Sequence, residues 1–166
     1  VYADPPWQYS NKAKDGAADD EYQTISTEDL CALPVADRLA EDAVLFLWVT
    51  NPLLIDGLAV LSAWGFNYKT NLVWVKDKPT SRGLGFYLRG QHELLLVGTR
   101  GSMIPEKDAM PLSVIQAPKR EHSRKPDEAY ELIEAMYPNA KRLELFARTK
   151  RNEWTAMGNE VGQWEP

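Results

Sequence analysis

Ala43-Val44-Leu45-Phe46-Leu47-Trp48-Val49 is an unbroken apolar run of strand length. A strand with one wet face alternates apolar with polar residues, so a run without alternation must be covered on both faces. That is the pattern of a parallel sheet lying between helices. The flanking sequence supplies them. Asn51-Pro52 opens a helix with a cap and a proline, Leu54, Leu58, Leu61 and Trp64 follow at helical spacing, and Gly65 closes it. Upstream, Ser26-Thr27-Glu28-Asp29 has the hydroxyl cap and first-turn acids of a helix start, which Pro34 ends.

Downstream, residues 68–76, centred on Leu72-Val73-Trp74-Val75, read as a strand. A Gly-containing loop from Lys78 to Gly90 leads into another strand, Glu93 to Gly98, and Ser113-Val114-Ile115 is a shorter one. Pro126 starts an amphipathic helix with Asp127 and Glu128 in its first turn and Tyr130, Ile133 and Met136 along one face. Arg142 to Phe146 and Trp154 to Met157 complete the strands. Strands alternating with helices predict a doubly wound α/β sheet in a single domain spanning 1–166. Ligands of such sheets sit beyond the carboxyl ends of the strands, here near Asp4, Thr50-Asn51 and Phe146-Ala147-Arg148.

Composition narrows the function classes. With 44% hydrophobic and 26% charged residues the chain is an ordinary globular sequence. No apolar run reaches the ~18 residues of a membrane span, and no basic-then-apolar leader opens the chain. A lone cysteine, Cys31, fits a reducing cytoplasm, and two histidines offer almost nothing to a zinc ion, so no metal is expected. The formal charge of -5 argues against bulk electrostatic capture of nucleic acid. Local basic patches remain, at Lys119, Arg120, Arg124 and Lys125 and again at Arg148, Lys150 and Arg151; a solvated surface is the plain reading of each.

The chemistry is carried by Asp4-Pro5-Pro6-Trp7. Val1-Tyr2-Ala3 before it reads as the end of a strand, which is expected to begin in residues upstream of Val1, since strands average ~5–6 residues. Gln8 to Thr24 after it is polar and small, a long loop of the kind that often serves function. At average usage the tetrapeptide arises by chance in roughly one chain in several thousand of this length. An amino group on an aromatic ring, such as that of a nucleobase, is a poor nucleophile because its lone pair is delocalised into the ring. A carboxylate (Asp4) and a rigidly held carbonyl (Pro5) could accept its two protons and fix the nitrogen, while Trp7 offers a face for the base, worth ~1–3 kcal/mol in such stacks. The competing reading is a proline-stiffened turn at a strand end, with Trp7 in the core.

Across nearly its whole length the sequence resembles the METTL-type adenine methyltransferases. The resemblance rests on Asp4-Pro5-Pro6-Trp7, Leu45 to Thr50, Gln91 to Gly98, Ser123 to Glu128, and Leu143 to Arg148 with Gly158-Asn159-Glu160. Gln91 to Gly101 has the flavour of the prokaryotic or phage branch. What the resemblance implies is a Rossmann-like class I methyltransferase fold in permuted order, catalytic motif first, using S-adenosylmethionine. It implies Lys125 at the methionine carboxylate, Asp4 near the amino group, Glu144, Phe146 and Arg148 along ribose and methionine, Asn159 and Glu160 at the adenosine end, and Asn152 beside them. Tyr9, Asn51, Arg89, Arg120, His122 and Ser123 are the candidate substrate contacts, with Asp4, Pro5, Pro6 and Trp7 at the reaction centre. Glu153 and Met157 depart from the family pattern.

The expected function is methylation of the 6-amino group of adenine in nucleic acid, DNA favoured over RNA, on an unpaired or flipped-out base. A catalytically silent subunit that binds nucleic acid or a partner is the alternative, as is a methyltransferase of another amine. Homo-oligomers and partner subunits are both compatible with the sequence. Of the smaller features, Gly83-Leu84-Gly85 reads as a hinge, with Phe86, Tyr87 and Arg89 near nucleic acid; His92 reads as structural, and Asp19, Asp20 and Glu21 as solvent-facing.

Overall fold

In a computed structural model, residues 1–9, 24–77, 87–120, 124–158 and 161 are described. Among them a seven-stranded sheet runs in the order β5-β3-β4-β2-β1-β6-β7. Its strands are β1 (Tyr2–Ala3), β2 (Ala43–Val49), β3 (Asn67–Asp77), β4 (His92–Arg100), β5 (Val114–Pro118), β6 (Arg142–Leu145) and β7 (Trp154–Met157). The helices are α1 (Thr27–Ala32), α2 (Leu54–Ala63) and α3 (Asp127–Met136).

The apolar run became β2, and all seven of its residues are buried. Leu45, Leu47 and Val49 join Leu30 of α1 and Val60, Leu61 and Trp64 around α2. Val44, Phe46 and Trp48 face the other way, into the cluster that holds Ala129 and Ile133 of α3 with Leu72, Trp74 and Ile115. Period-two alternation thus divides one continuous run between two cores.

The sheet is mixed, which corrects the expectation of a parallel one. β4 lies antiparallel to both β2 and β3, while β1–β2, β1–β6, β3–β5 and β6–β7 are parallel. A parallel return needs a crossover, usually a helix. The sequence from Lys78 to Gln91 carries no helical period, so β3 and β4 pair antiparallel and β4 is inserted between β3 and β2.

Local signals hold in most places. The Ser26 hydroxyl caps α1, accepting from the Asp29 N–H at 3.1 Å. Gly65 closes α2 at φ 82°, where a side chain would be strained. Asn51 does not cap its helix. Thr50 holds the cap position with no capping bond from its side chain, Asn51–Leu53 form a 3-10 turn, and the Asn51 amide is drawn instead to His92 at 3.0 Å. Strand β6 stops at Leu145, because Phe146 turns to φ 63°.

Candidate active site

Asp4 stands at the carboxyl end of β1, between β2 and β6, where the sheet presents its strand ends. The turn after it is clamped. The Trp7 N–H donates to the Pro5 carbonyl at 2.9 Å and the Ile25 N–H to the Pro6 carbonyl at 2.9 Å. One lone pair of the Pro5 carbonyl is therefore spent inside the turn, and one remains. Trp7 is only 7% exposed, packs in the α1/α2 core, and donates its indole N–H to the Trp48 carbonyl at 3.0 Å. The stacking face expected of Trp7 is thus turned into the core. Burying a large apolar ring with its one donor satisfied outweighs leaving it for a transient base.

Beside Asp4 the charges alternate. The Lys125 ammonium lies 2.9 Å from Asp4 Oδ1 and 3.3 Å from Glu93 Oε2, while Lys76 bonds the other oxygen of Glu93 at 2.5 Å. Lys125 also rests over the Trp48 ring, 5.6 Å from its centroid. Burial pushes the Asp4 carboxyl above the usual aspartate range, opposed by Lys125 and more weakly by Arg148. Burial would also raise Glu93, but Lys125 and Lys76 outweigh it and hold that carboxyl low. For Lys125 burial disfavours the charge, yet Asp4 and Glu93 prevail and its ammonium is held above the ordinary lysine value.

Of these groups Asp4 and Lys125 border a cavity of about 870 Å³, whose walls also include Tyr2, Tyr130, Glu144, Phe146 and Arg148. Glu144 is buried and accepts the Tyr130 hydroxyl at 2.8 Å; burial raises its carboxyl, and Asp4 adds to the effect. Both basic patches reach the same cavity, Lys119, Arg120 and Arg124 from one side and Lys150 and Arg151 from the other. Arg120 and Arg124 are braced by Asp127, and Arg151 stacks 4.6 Å from the Tyr130 centroid. Folding joins the two patches on this cavity, where Lys119, Arg124 and Lys150 stay exposed.

The wall at Phe146-Ala147-Arg148 depends on a close backbone approach. A Cβ at Gly158 would stand 2.3 Å from the Ala147 carbonyl oxygen and 2.7 Å from its nitrogen. Gly158→Ala is expected to displace that wall and destabilise the protein by about 1–3 kcal/mol. Chemical denaturation checks this, and an unchanged midpoint would refute the close approach.

The remaining expectations fall in several places. Tyr9 bonds Thr50 through its hydroxyl at 2.8 Å, next to Asn51 and His92 at the ends of β2 and β4. Arg89 is exposed. Asn152 lines a neighbouring depression of about 530 Å³ with Glu134, Lys150, Arg151 and Glu153, outside the main cavity. His122, Ser123, Asn159 and Glu160, with the loop hinge and the acidic run, lie outside the described residues. Sequence reasoning did not single out Glu93, Lys76 or Tyr130. A carboxylate opening the otherwise apolar Leu94-Leu95-Leu96 strand was the available signal for Glu93.

The MT-A70 family model matches residues 1–160. The N(6)-adenosine-methyltransferase MT-A70-like of Arabidopsis thaliana is 35% identical over 170 residues, covering 97% of this chain and 23% of that protein. The type II methyltransferase M.MunI of Mycoplasma sp is 31% identical over 180 residues, 97% of this chain and 76% of its own length. The N(6)-adenosine-methyltransferase catalytic subunit METTL3 of Homo sapiens is 32% identical over 169 residues, 97% of this chain and 28% of that protein. The chain thus spans about a quarter of the eukaryotic relatives and about three quarters of the Mycoplasma one.

Proposed function

The chain belongs to the MT-A70 family, and from that premise we propose that it methylates the 6-amino group of adenine in nucleic acid, using S-adenosylmethionine. One observation carries the reading: an aspartate at a strand end, 2.9 Å from a buried lysine, on the rim of a cavity of about 870 Å³. The permuted order is part of the proposal. Its support is that β1, which leads into the Asp4 motif, precedes β6 in sequence and lies beside it, and β6 carries Glu144, which the resemblance leads us to expect at the cofactor.

The donor set fits the cofactor. A zwitterionic nucleoside ligand needs a cation for its carboxylate and carboxylates for its amino and ribose groups. Lys125, Asp4 and Glu144 supply these around a cavity of adequate size, with Phe146 and Arg148 completing the wall. Bound there, S-adenosylmethionine supplies an electrophilic methyl group on a sulfonium. The protein's work is positioning. Lys125 holds the carboxylate end with a donor left over from Asp4 and Glu93. Asp4 accepts one amino hydrogen of the adenine, and the free lone pair of the Pro5 carbonyl accepts the other. Asp4 need not be a strong base, because an alkylated amine is acidic and sheds its proton to the carboxylate and then to solvent. The joined basic patches offer a landing place for phosphates on a chain whose formal charge is -5.

We favour DNA over RNA, on the prokaryotic flavour of Gln91 to Gly101 and the Mycoplasma relative matched over most of its length. A single domain over 1–166, a cytoplasmic setting and a partner or second copy belong to the same proposal. No helix among the described residues is long and apolar enough to cross a membrane.

The test is methyl transfer from labelled S-adenosylmethionine to single-stranded DNA, duplex DNA and RNA, with nucleoside mass spectrometry of the product. Label in N-6-methyladenine establishes the activity and identifies the polymer. Cofactor binding with no label in adenine points to a silent subunit or another amine. Lys125→Ala is expected to weaken cofactor binding about tenfold or more, the loss of one charge-assisted contact. Unchanged affinity by calorimetry would remove Lys125 from the site.

A further inference from the structure

Lys76, Glu93, Lys125 and Asp4 form a row of alternating charge that crosses from β3 through β4 and the residue before the cap of α3 to the end of β1. All four side chains are largely withdrawn from solvent, with exposures of 23%, 14%, 11% and 28%. Partly buried ion pairs seldom repay their desolvation in stability, so the row calls for a role at the site. We propose that Lys76 is a positioning residue that, through Glu93 and Lys125, keeps the Asp4 carboxylate ionised. The inference rests on the reading of Asp4 as the acceptor for the target amine.

Two carboxylates bridged by one ammonium carry a net negative charge, and one of them tends to take up a proton. Lys76 removes that imbalance. It bonds Glu93 Oε1, leaving only Oε2 for Lys125, so each oxygen of Glu93 has its own cation. Lys125 is then free to make its shorter contact to Asp4. Lys76 is itself fixed: its backbone N–H donates to the Gln91 carbonyl at 2.9 Å, and its ammonium sits 5.1 Å from the Trp74 ring centroid. The other groups acting on this row are Arg148, which favours the charged form of Asp4, the Glu144 carboxyl and the Tyr2 and Tyr130 hydroxyls, whose charged forms Asp4 opposes, and the Tyr9 hydroxyl, which feels Glu93, Lys125 and Asp4. His92, next to Glu93, is engaged with Asn51. Without Lys76, Glu93 draws Lys125 toward itself and Asp4 loses the contact that opposes burial. The proton affinity of Asp4 rises, so its ionised fraction falls on the acid side and recovers at high pH.

The experiment is a carboxyl 13C NMR titration of the chain labelled at aspartate and glutamate, in wild type, Lys76→Met and Lys76→Arg. Asp4→Asn assigns the Asp4 resonance by its loss. In Lys76→Met the Asp4 titration is expected to move up by about one pH unit or more, and in Lys76→Arg to stay near wild type. If Lys76→Met does not fold, Lys76→Gln takes its place. An Asp4 titration that does not move, in a variant with a wild-type amide spectrum, overturns the proposal. In turnover, the acid limb of the kcat profile should move by the same amount with recovery at high pH, whereas a loss equal at all pH values marks a merely structural residue and also overturns it. If wild type itself methylates no adenine, the proposed activity falls, and the carboxyl titration still decides what Lys76 does.

Discussion

Asp4→Ala is expected to lower kcat for adenine methylation by about 10²–10³-fold or more, the usual cost of removing one preorganised group from a reaction centre. Asp4→Asn should lose nearly as much, because the amide keeps a weak acceptor but neither the charge nor the proton-accepting capacity. Neither change is expected to unfold the protein near neutral pH, because each removes two opposed contributions. The folded-state pKa of Asp4 lies above its ordinary value, so folding favours its protonated form. For an acid shifted upward, that contribution is present below the unfolded pKa and is lost as pH rises through the folded one. At pH 7–8 the ionised carboxylate carries the cost of its burial, and asparagine removes it together with the pairing that helps hold the Lys125 ammonium charged. Thermal melts at pH 7–8 beside single-turnover kinetics separate the two effects. Near-wild-type kcat in either variant would dismiss Asp4 from the mechanism, and a collapsed melting temperature would show it to be structural.

The largest effect on stability is expected from Trp48→Ala. The Trp48 side chain is 1% exposed, meets Trp74 edge-on at 6.0 Å, and donates its indole N–H to the Tyr2 hydroxyl at 2.7 Å. Its loss opens a cavity in the middle of the sheet and costs about 3–5 kcal/mol. For a protein of this size that lowers the melting temperature by roughly 6–20 °C. It also removes the ring over which Lys125 rests, so cofactor affinity should fall in the fraction that still folds. Urea denaturation measures the first effect and calorimetry the second. A loss below about 1 kcal/mol would show that the core repacks around the gap.

Some of this was legible from local sequence and some was not. The unbroken run at 43–49 announced a strand covered on both faces, and the structure divides its residues by parity between two cores. Ser26 and Gly65 marked helix ends because capping is a short-range matter. The direction of β4 was harder, since strand direction follows from how the chain returns. The indole of Trp7 was ambiguous for a related reason: a tryptophan beside a reactive acid looks the same in sequence whether its face is free or packed. Asp4, Lys125, Glu144, Phe146 and Arg148 come together on one cavity, and they were found through motifs and resemblance. Lys76 and Glu93 were not, because their pairing exists only once β3 and β4 are in register. Nothing in the spacing of Lys76, Glu93 and Lys125 announces that they touch.

The position of β1 has a consequence for how the molecule assembles. Tyr2 and Ala3 are matched with Phe46 and Leu47 on one side and with Glu144 and Leu145 on the other. The β2–β4–β3 half of the sheet closes over shorter stretches of chain, whereas β1 meets β6 only when opposite ends of the described chain come together. Distant pairings carry the greater closure entropy and form slowly. The seam between β1 and β6 is therefore expected to close late in folding. Asp4 lies on one lip of that seam and Glu144 on the other. A ligand that spans both lips would clasp β1 to β6, coupling cofactor binding to the lifetime of the closed fold.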